Sequence, residues 1–326
     1  MATPKNLALG CLIGGMVGDA AGAVLEFDLD VTMKKVNRAM KMPGGGPHCV
    51  AKGQFTDDSE LDLALLHALV DSKNDSSKIT SLASKRYIEW YKSDPFDCGQ
   101  TTRQAFEKSA KYASKSSQAN GALMRIAPLA VWAAAKNVPI EVVLELAAAD
   151  AQLSHPHSNC IDANRAFVVA ILHLLKTPQD SQGAIAAARK IQFIGTDVFA
   201  WISDAIKDIE TDCLFHSGHV KHGIMLAFYH LNKRSDFKSA IEHTLLQGGD
   251  TDTNAKIVGN LMGAFHGLES MKRDPIIKRA IRKVMEFDCV EYNAKESRIG
   301  INRPETYKAS NVLKLVKKLY KHKNLD

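Results

Sequence analysis

The sequence of 326 residues is 45% hydrophobic and 24% charged, which excludes an intrinsically disordered chain and allows a large apolar core. Residues 271–326 hold 15 Lys/Arg and 7 Asp/Glu, a net charge of +8, within an overall net charge of +6. The remaining residues, 1–270, carry −2. The charge pattern therefore excludes a chain that is basic throughout, and any nucleic-acid or acidic partner is expected only at the C-terminal segment.

Apolar residues recur at the i, i+3, i+4, i+7 spacing of a helix that buries one face. In chain order these stripes are Leu61/Ala64/Leu65/Ala68, Ile126/Leu129/Ala130/Ala133, Val168/Ile171/Leu172/Leu175, Ile224/Ala227/Phe228/Leu231, Val258/Leu261/Met262/Phe265 and Val312/Leu315/Val316/Leu319. Alternating β-branched runs and Pro/Ser-rich linkers are missing from the sequence. We therefore predict an all-α fold, a single compact domain over residues 1–326 with a basic helical C-terminal segment at about 271–326.

Glycines recur at every fourth position in two of the predicted helices, which places each set along one helix face. The two sets are Gly10/Gly14/Gly18/Gly22 and Gly259/Gly263/Gly267. A glycine costs a helix about 1 kcal/mol relative to alanine, so the repetition indicates close packing against another backbone. We expect both helices to be central.

The six cysteines are far apart and form no CxxC pair, which excludes a zinc-knuckle spacing and a dense disulfide framework. This pattern favours a reducing compartment, the cytoplasm, with the nucleus as an alternative. Residues 7–17 and the following Ala21-Gly22-Ala23 imitate a signal peptide, although cleavage there would set Glu26 three residues from the new terminus. Asp19 interrupts the stretch before about 20 apolar residues accumulate, so no membrane span is expected.

Two acidic clusters each lie between a glycine-containing loop and the start of a predicted helix. They are Thr56-Asp57-Asp58-Ser59 and Gly249-Asp250-Thr251-Asp252-Thr253. Helix capping is the alternative interpretation of each cluster taken alone. Together, the carboxylates and Thr hydroxyls form an oxygen-only ligand set, which suits Mg²⁺ or Mn²⁺ rather than zinc. If they converge, these groups would repel one another without a cation.

Five motifs follow one another along residues 8–268. They are Gly18-Asp19-Ala20 through Glu26, Thr56-Asp57-Asp58, Asn120-Gly121-Ala122-Leu123-Met124-Arg125, Ser154-His155-Pro156-His157 and Gly248-Gly249-Asp250-Thr251-Asp252-Thr253. In this order they resemble the motifs of the ADP-ribosylglycohydrolase family, of the dinitrogenase reductase-activating glycohydrolase type. The resemblance implies an orthogonal helical fold and a dinuclear Mg²⁺ centre, with Mn²⁺ as the alternative ion. It also implies hydrolysis of the bond between the ADP-ribose anomeric carbon and an acceptor.

The resemblance assigns roles to individual residues. The metal ligands would be Thr56, Asp57, Asp58, Asp250, Asp252 and Thr253. Glu26 matches the acidic residue near the metals and the scissile bond, where it would act as the acid/base group or gate a metal position. Asn120, Gly121 and His155 match substrate-contacting positions. Ser59 stands where the family more usually has Thr, and this change retains the hydroxyl.

Asn120-Gly121 follows a polar loop and is expected to begin a helix whose amides face the ribose or pyrophosphate, with a helix cap as the alternative. Two histidine patterns are not interpreted as zinc sites, because neither has the spacing of a recognised one. They are His155-x-His157 and His216-x-x-His219-x-x-His222, and the second set is expected to share one helical face. Asp19 is expected either to support a site residue from behind or to join helices, and Arg125 to pair with a buried carboxylate.

Three hypotheses of function follow. The leading one is a hydrolase that removes ADP-ribose from a modified protein side chain or a small molecule, with the acceptor (Arg, Ser, phosphate or acyl) and the oligomeric state left open. The second is a catalytically silent ADP-ribose-binding or structural protein on the same fold, against which the complete ligand set argues. The third is a nucleic-acid binder acting through residues 271–326, although a charge-rich terminal helix is more often a solvated face.

Overall fold

The computed structural model describes residues 3–108, 113–191, 195–289 and 300–321. These residues form sixteen α-helices and two short 3₁₀-helices, Ser76–Lys78 and Glu305–Tyr307. Their β pairing is confined to two isolated bridges, Gly45 with Val50 and Ala119 with His219. The prediction of an all-α fold is therefore confirmed. Parts of the predicted basic C-terminal segment, residues 290–299 and 322–326, lie outside the described residues.

The helices are numbered in chain order. The first eight are α1 Pro4–Gly22, α2 Met33–Ala39, α3 Asp57–Asp71, α4 Ile79–Lys92, α5 Gln100–Lys108, α6 Ala127–Lys136, α7 Ile140–Gln152 and α8 Ser158–Lys176. The other eight are α9 Ser181–Arg189, α10 Thr196–Ile206, α11 Val220–Lys233, α12 Phe237–Leu246, α13 Thr251–His266, α14 Leu268–Met271, α15 Pro275–Glu286 and α16 Asn311–Leu319. Among the described residues, none of these helices combines the length and apolarity needed to cross a bilayer.

All six predicted apolar stripes are buried, and they belong to the core faces of α3, α6, α8, α11, α13 and α16. The basic C-terminal helices are amphipathic in the same way. Helix α16 buries Val312 and Val316 and exposes Lys317 and Lys318, and α15 likewise exposes Arg279. Their charge thus lies on a solvated outer face, and binding of nucleic acid there stays a prediction.

Helices α1 and α13 pack antiparallel with their backbones in direct contact, which the two glycine sets make possible. A Cβ added to Gly263 would lie 2.0 Å from the carbonyl oxygen of Gly10, and one added to Gly18 would lie 2.1 Å from that of Ala255. Any side chain at these positions would force the helices apart. Both helices are central, as predicted, and they contact each other. Gly267 lies just beyond α13 with φ +77° and ends the helix, and it extends the contact, because a Cβ added to Gly10 would lie 2.7 Å from its Cα.

This packing brings the C-terminal end of α1 to the N-terminal end of α13. A Cβ on Gly22 would lie 2.4 Å from the Cα of Asp252, and the Thr251 hydroxyl donates to the Gly22 carbonyl at 2.8 Å. Glu26 follows α1 by four residues, and Asp250 immediately precedes α13. The two predicted functional segments are therefore adjacent because of how these helices pack.

Asp19, fully buried on α1, caps the start of α3 from outside that helix. Its carboxylate accepts hydrogen bonds from the backbone N–H groups of Thr56 (2.9 Å) and Ser59 (3.0 Å) and from the Ser59 hydroxyl (2.6 Å). The bond from the Ser59 N–H replaces the one that the side chain of the N-cap residue Thr56 would ordinarily accept. The expectation that Asp19 joins helices is confirmed, and Ser59 uses the hydroxyl that it shares with threonine.

Arg303, in the segment that leads to α16, ties the C-terminal part of the chain to α3. Its guanidinium donates to both carboxylate oxygens of Glu60, at 2.8 and 2.9 Å, and to the carbonyls of Ser93 and Asp94. The Trp90 indole N–H donates to the same carboxylate at 2.7 Å. Glu60 and Arg303 are both buried, so each charged side chain needs the other as its counter-ion.

Gly263→Ala tests the α1–α13 contact. The added methyl group would overlap the backbone of α1, so we expect the free energy of unfolding to fall by roughly 1–3 kcal/mol. Chemical denaturation of the variant and the wild type measures this loss. Gly99→Ala is the control, because its methyl group would have Thr102 Oγ1 3.9 Å away as its nearest neighbour. Equal stabilities for the two variants would contradict the packing argument.

Arg303→Met tests the buried ion pair. The substitution leaves the Glu60 carboxylate buried without its cation, so we expect a loss of about 3–5 kcal/mol in unfolding free energy. The double variant with Glu60→Gln removes that lone charge and keeps an acceptor for Trp90. It should be more stable than Arg303→Met alone, and a double variant less stable than the single one would refute the explanation.

Candidate active site

One cavity of about 450 Å³ lies where α1, α3 and α13 meet the loops before α5 and α6. Nine of the ten predicted site residues line it. They are Glu26, Asp57, Asp58, Asn120, Gly121, His155, Asp250, Asp252 and Thr253. The tenth, Thr56, is fully buried behind the lining residues. Motifs separated by more than two hundred residues are thus brought to one place.

The N-cap side chains of the two acidic clusters do not cap their own helices, although Asp252 Oδ1 accepts from the backbone N–H of Thr253 at 2.9 Å. Thr56 and Asp250 occupy the N-cap positions of α3 and α13, yet neither side chain makes a capping hydrogen bond. The Thr56 hydroxyl instead lies 3.2 Å from Asp58 Oδ2 and 3.4 Å from Asp252 Oδ2. The Thr253 hydroxyl donates to Asp58 Oδ2, also at 3.2 Å. The clusters therefore interact with each other, and capping alone does not account for them.

The convergence of these carboxylates is electrostatically unfavourable without a cation. Burial raises the pKa of Asp57, Asp58 and Asp252 well above the usual range of a carboxyl, and repulsion among neighbouring acids raises it further. Asp58 Oδ1 is buried without a hydrogen-bond partner. Glu26, Asp250 and Asp252 offer oxygens within 4.8 Å of one another. These donors fit a hard divalent cation.

His48 and Asp97 adjoin Glu26, and sequence analysis missed both. His48 Nε2 lies 2.9 Å from Glu26 Oε2 and 3.4 Å from Asp97 Oδ2. Burial raises the pKa of Asp97 to about 7, with Glu26 adding to the effect. Both residues follow loops that the sequence marks with Pro and Gly, at 43–47 and 93–95, but each is a single polar residue outside any acidic cluster. Their loop positions are the one signal that could have indicated them.

The Asn120 side chain links the loop before α6 to the second acidic cluster, because its Nδ2 donates to Asp250 Oδ2 at 2.8 Å. The expectation that Asn120-Gly121 begins a helix is wrong, since an irregular turn precedes α6. The Gly121 carbonyl accepts from the Arg125 side chain at 2.9 Å, and Pro128 at the start of α6 has no N–H to extend a helix backwards.

Arg125 organises the opposite wall of the cavity. It pairs with buried Asp150 at 3.2 Å, as predicted, and donates to the Gly121 carbonyl and to Ser154 Oγ, each at 2.9 Å. Ser154 Oγ lies 2.8 Å from His155 Nδ1, and this nitrogen is the one acceptor that the described contacts offer to the hydroxyl proton, so we assign the proton to that bond. Burial lowers the pKa of His155 to about 3. The neutral ring therefore carries its proton on Nε2.

Gly121 leaves no room for a side chain beside this histidine. An added Cβ would lie 2.9 Å from His155 Cε1 and 2.9 Å from Thr102 Oγ1. All three residues line the cavity. The glycine therefore keeps this wall open to a bound molecule, and the wall offers hydrogen-bond donors of the kind that bind ribose or phosphate oxygens.

The three-histidine pattern does not build a zinc site. His219 is the N-cap of α11 and His216 lies in the preceding loop, so the expectation that these residues share one helical face with His222 is wrong. Both ring nitrogens of His222 are occupied by protein partners, Thr211 Oγ1 at 2.7 Å and the Phe215 carbonyl at 3.0 Å. No lone pair is left there for a metal.

An all-helical fold around a cavity whose carboxylates fit a divalent cation is compatible with a metal-dependent hydrolase. The ADP-ribosylglycohydrolase family model matches residues 1–298, so the chain belongs to that family and is an ADP-ribosyl hydrolase. The ADP-ribosyl-[dinitrogen reductase] glycohydrolase of Rhodospirillum rubrum is 26% identical over 306 residues, covering 86% of this chain and 94% of that protein.

A second relative is the ADP-ribosylarginine hydrolase Tri1 of Pseudomonas putida (strain GB-1). It is 25% identical over 288 residues, which cover 84% of this chain and 74% of that protein. The solved structure of an ADP-ribosylglycohydrolase-related protein complex aligns with a TM-score of 0.68 at 23% identity. The alignment covers 87% of this chain and 99% of that one, which establishes the shared fold.

Asp252→Asn tests whether the acidic cluster is built for a cation. In EDTA the variant should be about 1–2 kcal/mol more stable than the wild type, because one repelling charge is gone. With Mg²⁺ at a hundredfold excess over Kd, the wild type should gain about 2.7 kcal/mol and the variant almost nothing. Thermal unfolding with and without metal measures both effects. Exposed Asp30→Asn is the control, and a variant that kept the full Mg²⁺ gain would count against this site.

Proposed function

We propose that the chain hydrolyses the bond between the ADP-ribose anomeric carbon and an acceptor group, using two Mg²⁺ ions, with Mn²⁺ as the alternative. The observation that carries the proposal is the convergence of Glu26 and both acidic clusters at one end of a cavity. The opposite wall presents Gly121 and the neutral His155. Acid/base chemistry and ligand recognition are thereby combined in one cavity.

The metal ions would be held by the residues at the adjoining starts of α3 and α13. These are Thr56, Asp57, Asp58, Asp250, Asp252 and Thr253. When bound, two divalent cations would polarise a substrate oxygen and lower the pKa of water. Thr56 is the most deeply placed member of this set, and its hydroxyl also lies 3.1 Å from Asp19 Oδ1. Support from Asp19 would fix the orientation of that hydroxyl.

Glu26 is the group that we assign to proton transfer. Water adds its oxygen to the anomeric carbon, the bond from that carbon to the acceptor breaks, and the acceptor leaves with the bonding electron pair. Glu26 would accept the water proton and return it to the leaving group. Burial raises the pKa of Glu26, and His48 at 2.9 Å lowers it in part, so the net change is an increase. A carboxyl with a raised pKa is better suited to both accept and return a proton.

The opposite wall is suited to the oxygens of ADP-ribose. The His155 Nε2–H is a donor that stays neutral across the physiological pH range, since the pKa of this residue is about 3. Asn120 is held by Asp250, so it would couple the bound ribose to the metal ligands. The cavity of about 450 Å³ falls within the ordinary range for small-molecule sites.

For the acceptor we propose a modified protein side chain, with arginine as the first linkage to examine. The support is the activity for which two relatives are named, on ADP-ribosyl-[dinitrogen reductase] and on ADP-ribosylarginine. Serine, phosphate and acyl linkages are the further candidates. All six cysteines are free thiols, which supports our proposal of a reducing compartment, the cytoplasm or nucleus.

Glu26→Gln separates chemistry from metal binding. Loss of the acid/base group should lower kcat for ADP-ribose release by about 10²–10⁴-fold, while stabilisation by Mg²⁺ persists. Release from Arg- and Ser-linked peptides, with Mg²⁺ or EDTA, is the measurement. Glu269→Gln, at an exposed position, is the matched control. A wild type that binds metal and ADP-ribose yet releases nothing from Arg, Ser, phosphate or acyl adducts would instead be the silent binding protein.

A further inference from the structure

Large apolar side chains are exposed in one region of the surface more than elsewhere. Of the ten large hydrophobic residues exposed in the described part of the chain, six come from three short segments. They are Phe27, Leu29, Met33, Leu214, Phe215 and Leu246, which we call the apolar collar. Leu29 is 84% exposed and Phe215 is 66% exposed. Such clusters on a surface commonly mark an interaction site.

The segments of the collar meet at Gly248-Gly249, the loop that leads into the second acidic cluster. The Phe27 N–H donates to the Gly249 carbonyl at 2.8 Å. A Cβ added to Gly248 would lie 3.0 Å from Leu214 Cδ2 and 3.5 Å from the Asp28 carbonyl. The two loops, residues 25–31 and 213–217, therefore pack against the same glycines and form one continuous surface.

This surface borders the opening of the catalytic cavity. Phe27 is 55% exposed and also lines the cavity beside Glu26. Ser217 and Gly218, which follow the collar residue Phe215, line the cavity from the other loop. A molecule that reaches the cavity from this side must pass the collar, so the collar is placed to contact whatever carries the ADP-ribose.

The charges of the same loops distinguish between kinds of partner. Residues 25–33 and 209–218 contain Asp28, Asp30 and Asp212, with Glu26 and Glu210, and no Lys or Arg. The exposed Lys34 directly follows these residues, so carboxylates outnumber cations around the collar without excluding them. Lys35 pairs with Asp28, while Asp30 and Asp212 are exposed. Carboxylates around apolar side chains repel a phosphate backbone and complement a basic, apolar peptide.

We propose that the apolar collar binds the acceptor protein, at apolar and basic residues that flank the ADP-ribosylated side chain. This inference rests on the proposed function and deepens it, because it makes a protein the preferred substrate over a small ADP-ribosylated molecule. Apolar contacts beside the cavity lower KM for such a protein and leave the bond-breaking step unchanged.

The test compares two ADP-ribosylated peptides that share the linkage and one neighbouring Lys. One peptide has Leu and Phe beside the modified residue, and the other has Ser and Gly. For the wild type we expect a KM about tenfold lower with the apolar peptide, at similar kcat. In the double variant Leu29→Ser/Phe215→Ser the two KM values should agree within about twofold. Neither residue lines the cavity.

Two controls keep the inference separate from the proposed function. Ile140→Ser/Leu313→Ser replaces two other exposed apolar residues and should retain the peptide preference. The small adduct with the same linkage should be hydrolysed equally by all three proteins, and no release from it would refute the proposed function itself. Normal release from the adduct with no peptide preference in the wild type would overturn the collar inference alone. So would sedimentation showing a wild-type dimer that the collar variant makes monomeric.

Discussion

The backbone contact between α1 and α13 is the constraint on which the site depends. Glycines let the two helices approach until carbonyl oxygens of one helix occupy the space that a Cβ of the other would need. The short separation of the helix axes then sets where the helix ends lie. Because the helices run antiparallel, the end of α1 that leads to Glu26 meets the start of α13 that carries Asp252. A wider spacing, with side chains between the helices, would separate the proposed acid/base group from the proposed metal ligands.

A second constraint follows from the charges collected there. A helix start needs acceptors for its free N–H groups, and Asp or Thr normally supplies them locally. Here Asp19 does so for α3 from a neighbouring helix, which leaves the hydroxyl of the N-cap residue Thr56 free to contact Asp58 and Asp252. The unfavourable burial of these carboxylates is the cost of a site whose charge a divalent cation would neutralise. Function and stability therefore oppose each other at this point.

The parts of this structure that the sequence predicted depend on periodicity or on clustering. Helical stripes and repeated glycines are visible along the chain because each is set by neighbours three or four residues away. His48 and Asp97 act as single residues whose partners are distant in sequence, so no local pattern indicates them. The prediction of a helix at Asn120-Gly121 is wrong because the Gly121 carbonyl accepts a hydrogen bond from the side chain of Arg125 and not from a backbone N–H. Tertiary contact overrode local preference there.

Two buried arginines, Arg125 and Arg303, fix the walls of the cavity. Arg125 binds Asp150, Ser154 and the Gly121 carbonyl, and Arg303 binds Glu60 and the loop that leads to Asp97. Each holds one wall of the cavity by bonds that solvent does not weaken. The outer loops with the apolar collar lack such buried charge pairs among the described contacts. In our proposal, a fixed interior supports the chemistry, and recognition of the acceptor falls to loops whose side chains can change without disturbing the proposed metal ligands.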